Sequence, residues 1–342
     1  MNLNDPSLFR QQCFIDGQWV DADSGETMEI INPANGELIG TMPNAGAAET
    51  RRAIEAADSA WPAWRKHTAK ERAGVIRAWH DLILSNADDL AMLMTLEQGK
   101  PLAEAKGEIA YASWFVEWFA EEGKRAYGEV IPETISDRRI VVIKEPVGVV
   151  AAITPWNFPA AMITRKAGPA LAAGCPIVLK PASATPYTAT ALVELANRAG
   201  IPKGIVNLLS GSARDIGGEM TSNPTVRKLS FTGSTEIGKE LMAQCAGTIK
   251  KVSLELGGNA PLIVFDDCDM EQAIRGTMAS KYRNAGQTCV CANRILVQDG
   301  VYDEFSSRFA QAVGELKVGP GLGEGVTQGP LIDMAAVEKV EE

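Results

Sequence analysis

From about residue 140 onward, apolar runs alternate with helical patterns, and this alternation constrains the fold more than any other feature of the chain. The run 147–153 is β-branched and continuous enough to be buried on both faces, as strands of a parallel sheet are. Strict alternation of strand and helix is typical of βαβ units, so we predict an α/β fold with a doubly wound parallel sheet. Further apolar runs lie at 177–179, 205–209, 228–231 and 252–254, with helical patterns at 185–199, 213–221 and 235–245 between them.

A second alternating segment follows Gly257 and Gly258. A chain of 342 residues favours about two domains over one. We therefore predict a domain boundary at 254–258, with Glu255 in the connection. The second segment has apolar runs at 261–265 and 295–297 and helical patterns at 270–284 and 302–313.

The pattern before residue 125 is different. Short strands at 14–20 and 28–31 are broken by turns, and we interpret them as accessory to the main fold. Thr68 and Glu71 have the spacing of a capping box. Apolar residues then recur at helical spacing as far as Leu93, which predicts one long amphipathic helix.

The next helical stretch, residues 105–119, ends in a cluster of four aromatic side chains at 114–119. Aromatic residues at helical spacing are far more often core than a stacking platform, so we predict that they are buried. They are Trp114, Phe115, Trp118 and Phe119.

Composition excludes several classes of protein. The net charge of -10 and the absence of a Lys/Arg-rich run disfavour nucleic acids and anionic membrane surfaces as partners. No segment has the pattern of an export signal or a membrane span. The six cysteines are scattered, which disfavours a disulfide scaffold. These features together predict a cytoplasmic protein.

Histidine usage narrows the chemistry. His67 and His80 are the only two and both lie near the N-terminal helical segment, which disfavours a Ser-His-Asp triad or a Cys-His pair. Cys289 and Cys291 are too close together for a zinc ribbon, so we expect no metal site. If Cys289 acts, its proton acceptor is a carboxylate or water.

Cys289 is the candidate nucleophile. It lies between a helical pattern and an apolar strand, flanked by small and polar residues such as Gly286 and Thr288, so a small electrophile can reach it. The alternative is a structural cysteine, because free cysteines are among the most buried residues.

Three stretches follow strands of the predicted sheet, where ligands gather in open α/β folds. Asn157, between two prolines, can donate to a developing oxyanion, or can be an ordinary turn residue. Lys180 and Ser183 occupy the position of the acidic residue that holds ribose hydroxyls, which favours NADP over NAD. The alternative is a lysine at an exposed strand end. The stretch 231–238 has a glycine turn before a helix start, which favours a phosphate, but it is a weak signal alone.

Together these stretches resemble the aldehyde dehydrogenase superfamily along essentially the whole chain. Within it, the chain is similar to the NADP-dependent succinate-semialdehyde dehydrogenase branch, through residues 94–102, 162–166 and 283–294. The motifs that carry the wider resemblance are Pro155-Trp156-Asn157-Phe158-Pro159, Lys180-Pro181-Ala182-Ser183, Phe231-Thr232-Gly233-Ser234, residues 254–259 and Gly286-Gln287-Thr288-Cys289.

The resemblance implies a thiolate mechanism. Cys289 attacks the aldehyde, the Asn157 amide and the Cys289 backbone N–H hold the oxyanion, and Glu255 activates the hydrolytic water. Arg165 and Arg283 match positions that bind the substrate carboxylate, although both can be structural arginines. It also implies a cofactor site, whose residues are Thr154, Pro155, Trp156, Lys180, Ser183, Gly233, Ser234 and Leu256.

Other implications of the resemblance concern redox chemistry and assembly. Cys291 is a candidate redox partner of Cys289, although a bridge across one residue strains disulfide geometry. The implied organisation is a dinucleotide-binding domain of residues 1–125 and 144–254, part of an oligomerisation arm at 126–143, and a catalytic domain at 255–342. We expect a homo-oligomer, and we expect the family's catalytic domain to extend beyond Glu342.

Two other classes of function are compatible with the sequence. One is a dinucleotide-binding fragment without turnover. The other is a cysteine hydrolase that acts through Cys289 and Glu255. We expect an aldehyde dehydrogenase. Its expected substrate is succinate semialdehyde or another small aldehyde such as glutarate semialdehyde.

Overall fold

A computed structural model describes residues 1–342. Its strands are β1 (Cys13–Ile15), β2 (Gln18–Val20), β3 (Thr27–Ile31), β4 (Leu38–Pro43), β5 (Glu129–Ile131), β6 (Ile140–Val142), β7 (Val149–Ile153), β8 (Ile177–Lys180), β9 (Val206–Leu208), β10 (Val226–Thr232), β11 (Lys251–Glu255), β12 (Ala260–Val264) and β13 (Ala292–Val297). Its α-helices are α1 (Ala47–Trp64), α2 (Ala69–Ser85), α3 (Ala87–Gln98), α4 (Leu102–Glu122), α5 (Ala161–Ala172), α6 (Tyr187–Arg198), α7 (Ala213–Ser222), α8 (Thr235–Ala246), α9 (Met270–Lys281), α10 (Tyr302–Gly314) and α11 (Met334–Glu341). Short 3₁₀ turns lie at Pro6–Leu8, Gly123–Arg125, Arg283–Gly286 and Asp299–Val301.

The main sheet has seven strands in the order β11-β10-β7-β8-β9-β1-β2. The five strands from β11 to β9 are parallel, which confirms the predicted α/β fold with a parallel sheet. The interpretation of residues 14–20 as accessory is wrong, because β1 pairs antiparallel with β9 and extends the sheet. The βαβ pattern identifies strands that are joined by helical crossovers. Strands β1 and β2 join the sheet antiparallel and without such a crossover, so the pattern did not predict their place in it.

Helices cover both faces of the sheet. Along β7, Val149 and Ala151 belong to one apolar cluster, while Val150 and Ala152 belong to another. The first cluster includes residues of α1, α7 and α8, and the second includes residues of α2 to α6. Since successive residues of a strand point to opposite faces, the sheet separates two cores.

The predicted long helix at 69–93 is two helices, α2 and α3. Thr68 and Glu71 form the predicted capping box at the start of α2. The break lies at Asn86, whose backbone leaves the helical region with φ of -112° and ψ of 20°. Its Nδ2 and its backbone N–H both donate to the Leu82 carbonyl, at 2.8 and 3.2 Å. Both helices pack on one core, so their apolar periodicity continues across the break.

The aromatic residues of α4 differ in their exposure to solvent. Val116 and its neighbours at helical spacing face the core, and Phe115 and Phe119 are half-buried against it. Trp114 and Trp118 are each 63% exposed, so the expectation that all four are buried is wrong for these two. They lie on the side of α4 that faces away from the core.

The strand pairing changes between Glu255 and Ala260. Strand β11 is the edge of the main sheet, while β12 pairs in parallel with β13 in a separate sheet. Helix α9 packs on β13, and α10 packs on α9. Strands β5 and β6 form an isolated antiparallel hairpin. No helix is long and apolar enough to cross a membrane.

Candidate active site

The carboxyl ends of the parallel strands lie side by side. Phe231 is in register with Ile153, Ile153 with Lys180, and Thr232 with Glu255. Residues that follow these strands therefore meet at one edge of the sheet, as the parallel topology requires. This edge carries the predicted stretches that begin at Thr154, Lys180 and Thr232.

The backbone around Cys289 turns sharply after α9. Asn284, Ala285 and Gly286 all have left-handed backbone, with φ of 52°, 55° and 76°. Three such residues in succession end the helix and direct the chain back toward the sheet. Cys289 is then exposed, whereas Cys291 at the entry to β13 is buried, with its Sγ 3.4 Å from the Lys281 carbonyl. A small electrophile can therefore reach Cys289 but not Cys291.

Hydrogen bonds join the loop of Asn157 to the loop of Cys289. The Asn157 Nδ2 donates to the Gln287 carbonyl at 2.9 Å, and the Asn284 Nδ2 donates to the Asn157 carbonyl at 3.1 Å. The primary amide of Asn157 has two N–H donors, and only one of them is used here. The second remains available beside the exposed thiol loop.

The segment that carries Glu255 also approaches Cys289. A Cβ on Gly258 would lie 2.9 Å from the Cys289 carbonyl oxygen, so only glycine allows this approach without a shift. Glu255 ends β11 three residues earlier and is exposed. Its carboxylate accepts no side-chain hydrogen bond and pairs with no cation, so no contact holds it in one direction.

Glu255 lines a cavity of about 420 Å³ on the α5 side of the sheet. Arg165 and Lys166 line the same cavity, whereas Cys289, Asn157 and Arg283 do not. The structure therefore groups Glu255 with Arg165 and brings Asn157 together with the Cys289 loop. The backbone between Glu255 and Gly258 connects the two groups.

Lys166 is a charged group that the sequence analysis missed. Its side chain is buried, its Nζ donates to Ser230 Oγ at 2.9 Å, and burial lowers its pKa to about 8. Its position beside Arg165, within the motif 162–166 that follows the Asn157 turn, could have indicated that Lys166 lies near the site. A lysine on an amphipathic helix usually extends into solvent, so periodicity did not distinguish it.

The two predicted substrate arginines lie against aromatic rings. The Arg165 guanidinium lies 5.5 Å from the centre of the Phe115 ring, and that of Arg283 lies 4.8 Å from the Phe158 ring. Neither guanidinium has an acidic partner within 4 Å. Both are therefore able to bind a carboxylate bidentately. Phe158 adjoins Asn157, so Arg283 lies next to the loop junction.

Two predicted cofactor residues, Lys180 and Ser183, are in contact. Lys180 is buried, and its Nζ donates to the Pro181 carbonyl at 3.0 Å and contacts Ser183 Oγ at 3.5 Å. Burial lowers the Lys180 pKa to about 8, and no carboxylate pairs with it. An ammonium enclosed without an anion is suited to binding one.

Other predicted cofactor residues lie around the start of α8. Ser234 caps this helix by accepting from the Ile237 N–H at 3.3 Å, and Gly233 precedes it in the turn. Leu256 packs against the first turn, because a Cβ on Gly238 would lie 2.4 Å from its Cδ2. Pro155 and Trp156 are half-buried in the loop after β7.

Two buried threonine hydroxyls at this edge have no hydrogen-bond partner. They belong to Thr154, directly after β7, and Thr232, the last residue of β10. Buried hydroxyls in native proteins are nearly always paired, so these two are available to a polar partner at the carboxyl ends of the strands. Thr154 was predicted as a cofactor residue and Thr232 was not.

The sheet, the strand-end residues and the exposed thiol define an NAD(P)-dependent oxidoreductase. The sequence pattern of the aldehyde dehydrogenase family matches residues 19–342. The chain belongs to the aldehyde dehydrogenase family.

Its relatives include enzymes with different named substrates. It is 68% identical over 342 residues to a glutarate-semialdehyde dehydrogenase of Pseudomonas aeruginosa. It is 67% identical to the NADP(+) succinate-semialdehyde dehydrogenase of Escherichia coli K12. In both comparisons all of this chain matches 71% of the relative.

Solved structures agree with this assignment. The crystal structure of succinate-semialdehyde dehydrogenase from Burkholderia pseudomallei superposes with a TM-score of 0.99 at 62% identity, covering 100% of this chain and 71% of that one. The protein is therefore an NAD(P)-dependent aldehyde dehydrogenase with the fold of its family.

Proposed function

We propose that the protein oxidises succinate semialdehyde to succinate with NADP, through a covalent adduct on Cys289. The observation that carries this proposal is the hydrogen-bonded junction of the Asn157 and Cys289 loops, which sets an amide donor beside an exposed thiol. The junction joins segments 130 residues apart, Asn157 and Gln287. It supplies the nucleophile and the oxyanion donor that aldehyde oxidation requires.

Each protein group has a defined part in the reaction. The Cys289 thiolate forms a C–S bond to the aldehyde carbon, and the aldehyde oxygen becomes an oxyanion. The free Asn157 N–H and the Cys289 backbone N–H stabilise this oxyanion. Glu255 then takes a proton from the water that hydrolyses the Cys289 thioester, which releases the acid and regenerates the thiol. When bound, the nicotinamide supplies the hydride acceptor for the intervening oxidation.

The residues present fit NADP. Lys180 and Ser183 offer a buried cation and a hydroxyl to a 2'-phosphate, while the orphaned hydroxyls of Thr154 and Thr232 and the capped start of α8 suit the remaining polar groups. The Escherichia coli relative named for NADP(+) supports the same cofactor. Trp156 and Leu256 would complete the walls of the cofactor cleft.

The substrate is proposed from the two arginines without acidic partners. Arg165 and Arg283 would hold the distal carboxylate of a short aldehyde acid. Glutarate semialdehyde, one carbon longer, is the second candidate, because a relative named for it is 68% identical. An additional methylene usually changes discrimination by only about 10- to 200-fold, so both substrates can be used.

The division of labour along the chain follows from this proposal. Residues 1–125 and 144–254 would bind the dinucleotide, and residues from 255 onward would supply Cys289 to the reaction. The hairpin within 126–143 would be an oligomerisation arm. Its exposed apolar side chains suit contact with another copy, and they include Val130 at 74% and Val141 at 64% exposure.

A substrate panel tests the proposal. Rates are measured with succinate semialdehyde, glutarate semialdehyde and butanal, each with NADP and NAD. We expect kcat/KM for the carboxylated aldehydes to exceed that for butanal by about 100-fold, since a charge-assisted hydrogen bond is worth about 1.5–3 kcal/mol. Arg165→Met should remove most of this preference, whereas Arg308→Met, which breaks a surface ion pair, should not.

The same panel tests the nucleophile. Cys289→Ser should lose turnover by at least about 10³-fold while retaining NADP binding, because the covalent step is lost. Cys291→Ser is the matched control and should remain active, since its side chain is buried away from the exposed loop. An unchanged preference in Arg165→Met would contradict the substrate, and an active Cys289→Ser would contradict the mechanism.

A further inference from the structure

A buried ion pair lies directly behind the Asn157 loop. The Lys100 Nζ is 2.5 Å from the Glu108 Oε2, and the two side chains are 1% and 2% exposed. Removing two charges from water is costly, and an apolar pair of similar volume is often as stable or more stable. Stability alone therefore does not explain this pair, and its remaining contacts show what else it does.

Glu108 holds the start of α5. Its Oε1 accepts from the backbone N–H groups of Ala160 and Ala161, at 2.9 and 3.1 Å. No side chain of α5 caps this end, so Glu108 from α4 supplies the acceptor instead. The turn that carries Asn157 is thereby tied to α4 immediately after it leaves the active site.

Lys100 holds the peptide group of Asn157 itself. Its Nζ donates to the Asn157 carbonyl at 2.8 Å and lies 4.3 Å from the centre of the Phe158 ring. The same carbonyl accepts from Asn284 Nδ2. Two donors from different segments therefore fix the orientation of this peptide, and with it the direction of the Asn157 side chain.

Glu104 holds the other loop. It lies one turn before Glu108 on α4, and its Oε1 accepts from the Asn284 backbone N–H at 2.8 Å. Asn284 begins the left-handed turn, a conformation that is uncommon outside glycine, and Glu104 holds its N–H group. Glu104 and Glu108, one turn apart on α4, therefore bind both the segment that carries the Asn157 amide and the segment that leads to Cys289.

We propose that Lys100, Glu104 and Glu108 are positioning residues, which hold the Asn157 amide in register with the Cys289 loop for oxyanion stabilisation. This inference rests on the proposed function, because it needs Asn157 to act as the oxyanion donor. The Lys100 and Glu108 side chains are enclosed by protein, and the hydrogen bond of Glu104 goes to the Asn284 backbone, so all three act through the two loops. Their effect is geometric, and a displacement of about 1 Å in such a site can cost about 100-fold in rate.

A paired replacement tests the role of Lys100. In the double variant Lys100→Met/Glu108→Gln, both charges are removed together and the glutamine oxygen can still accept from Ala160 and Ala161. The Asn157 carbonyl, however, no longer receives a hydrogen bond from residue 100. We expect kcat for the aldehyde to fall about 10- to 100-fold, with KM changed by less than about threefold.

A double-mutant cycle with Asn157→Ala separates positioning from general support of the fold. In the parent, Asn157→Ala should reduce kcat by about 10²- to 10³-fold, as the loss of an oxyanion donor does. In the Lys100→Met/Glu108→Gln background the same change should reduce kcat by less than about tenfold, because the donor is already misplaced. Losses that multiply in full would overturn the inference.

Glu104 gives a second test that disturbs no buried ion pair. We expect Glu104→Ala to lower kcat about tenfold, and Glu104→Gln, which keeps an acceptor for the Asn284 N–H, to restore it. Lys106→Ala is the matched control, because Lys106 pairs only with exposed Asp88 on the surface beside this turn. Full activity of Glu104→Ala, or no rescue by Gln, would contradict the role of Glu104.

The outcomes distinguish this inference from the proposed function. If Asn157→Ala leaves the parent's kcat unchanged, Asn157 is not the oxyanion donor, and both the mechanism and the positioning role fail. If Asn157→Ala has its full effect while the Lys100 and Glu104 variants stay fully active, only the positioning role fails.

Discussion

Under the proposed function, burial of a single side chain, that of Lys180, would favour one cofactor over the other. Its Nζ is enclosed at the end of β8 with a carbonyl and a hydroxyl as its neighbours, and desolvation lowers its pKa to about 8. A 2'-phosphate would provide the missing counter-charge. The charged form of the lysine is then favoured in the complex and disfavoured without the phosphate.

We predict that Lys180→Met raises the NADP dissociation constant about 10- to 100-fold, because it removes a charge-assisted hydrogen bond to the phosphate. The NAD dissociation constant should change by less than about twofold, since NAD has no 2'-phosphate. Lys203→Met serves as the control, because Lys203 precedes β9 and so lies at the amino-terminal end of the parallel strands. Calorimetric titration with each cofactor measures the difference, and equal losses for both would contradict it.

The sign of the pH effect follows from the direction of this shift. Lys180 is protonated below a pH of about 8 and loses its charge above it. NADP affinity of the parent should therefore decline as pH rises from 7 to 10, by more than NAD affinity does. The Lys180→Met variant should show the same pH dependence for both cofactors.

Residues at strand ends could be predicted from the sequence, but the residues behind them could not. Parallel strands bring their carboxyl ends to one edge, so the βαβ pattern predicts that Asn157 and Lys180 lie there. It places Glu255 only in the connection between the two predicted domains. Lys100 and Glu108 lie in a charged stretch that would ordinarily be solvated. Their burial depends on contacts with the turn at Asn157, more than 40 residues away, which no local pattern encodes.

Helix α6 is capped by a side chain from another helix. Glu97, near the end of α3, is fully buried and accepts from the backbone N–H groups of Tyr187 and Thr188, at 2.6 and 2.8 Å. Its burial raises the Glu97 pKa to about 8 despite these two donors. Two elements of the core are thereby linked through one carboxyl group that holds a proton at neutral pH.

This linkage predicts a pH-dependent stability. The folded state keeps the Glu97 proton up to a pH of about 8, whereas the unfolded chain releases it near its ordinary value of 4.5. The contribution of Glu97 is therefore complete below about pH 4.5 and is lost as pH rises toward 8. We expect the free energy of unfolding to fall over this interval by an amount on the order of a few kcal/mol.

Glu97→Gln should remove this pH dependence, because the amide cannot titrate and still offers an acceptor. Urea unfolding at pH 5, 6.5 and 8 gives the free energies, and Glu117→Gln on the surface is the control. Parallel pH profiles for the parent and Glu97→Gln would show that Glu97 does not carry the effect.

At this scale the sequence predicts the existence of elements better than their junctions. The helical content of 69–93 follows from its periodicity, yet the break at Asn86 is a local change of backbone conformation that leaves the periodicity intact. The strands β1 and β2 were expected from their turns. Their attachment to the far edge of the main sheet depends on the packing of Phe14 opposite Leu208, a contact across nearly 200 residues.

The hairpin of β5 and β6 extends from the body of the molecule. Val130 lies directly opposite Val141, and both are mostly exposed. Exposed apolar strands are sites at which chains associate. The mass of the protein in solution should therefore exceed that of one chain.

We predict that the variant Val130→Lys/Val141→Glu has a smaller mass in sedimentation equilibrium than the parent. The introduced charges lie opposite each other and preserve the hairpin, but they oppose burial against another copy. Leu84→Lys, an exposed apolar residue on α2, is the control. A monomeric parent, or a variant with the parent's mass, would contradict the role of the arm.

The order of synthesis decides when the Asn157 and Cys289 loops can form their junction in each new molecule. A ribosome makes Asn157 long before it makes Gln287, and until both have been made and have met, the sulfur is an ordinary thiol in a loose polypeptide. Under the proposed mechanism, stabilisation of the aldehyde adduct would therefore begin only with tertiary structure. A nascent or misfolded copy would carry the Cys289 thiol without the Asn157 donor beside it, and so could not turn over an aldehyde by the proposed mechanism.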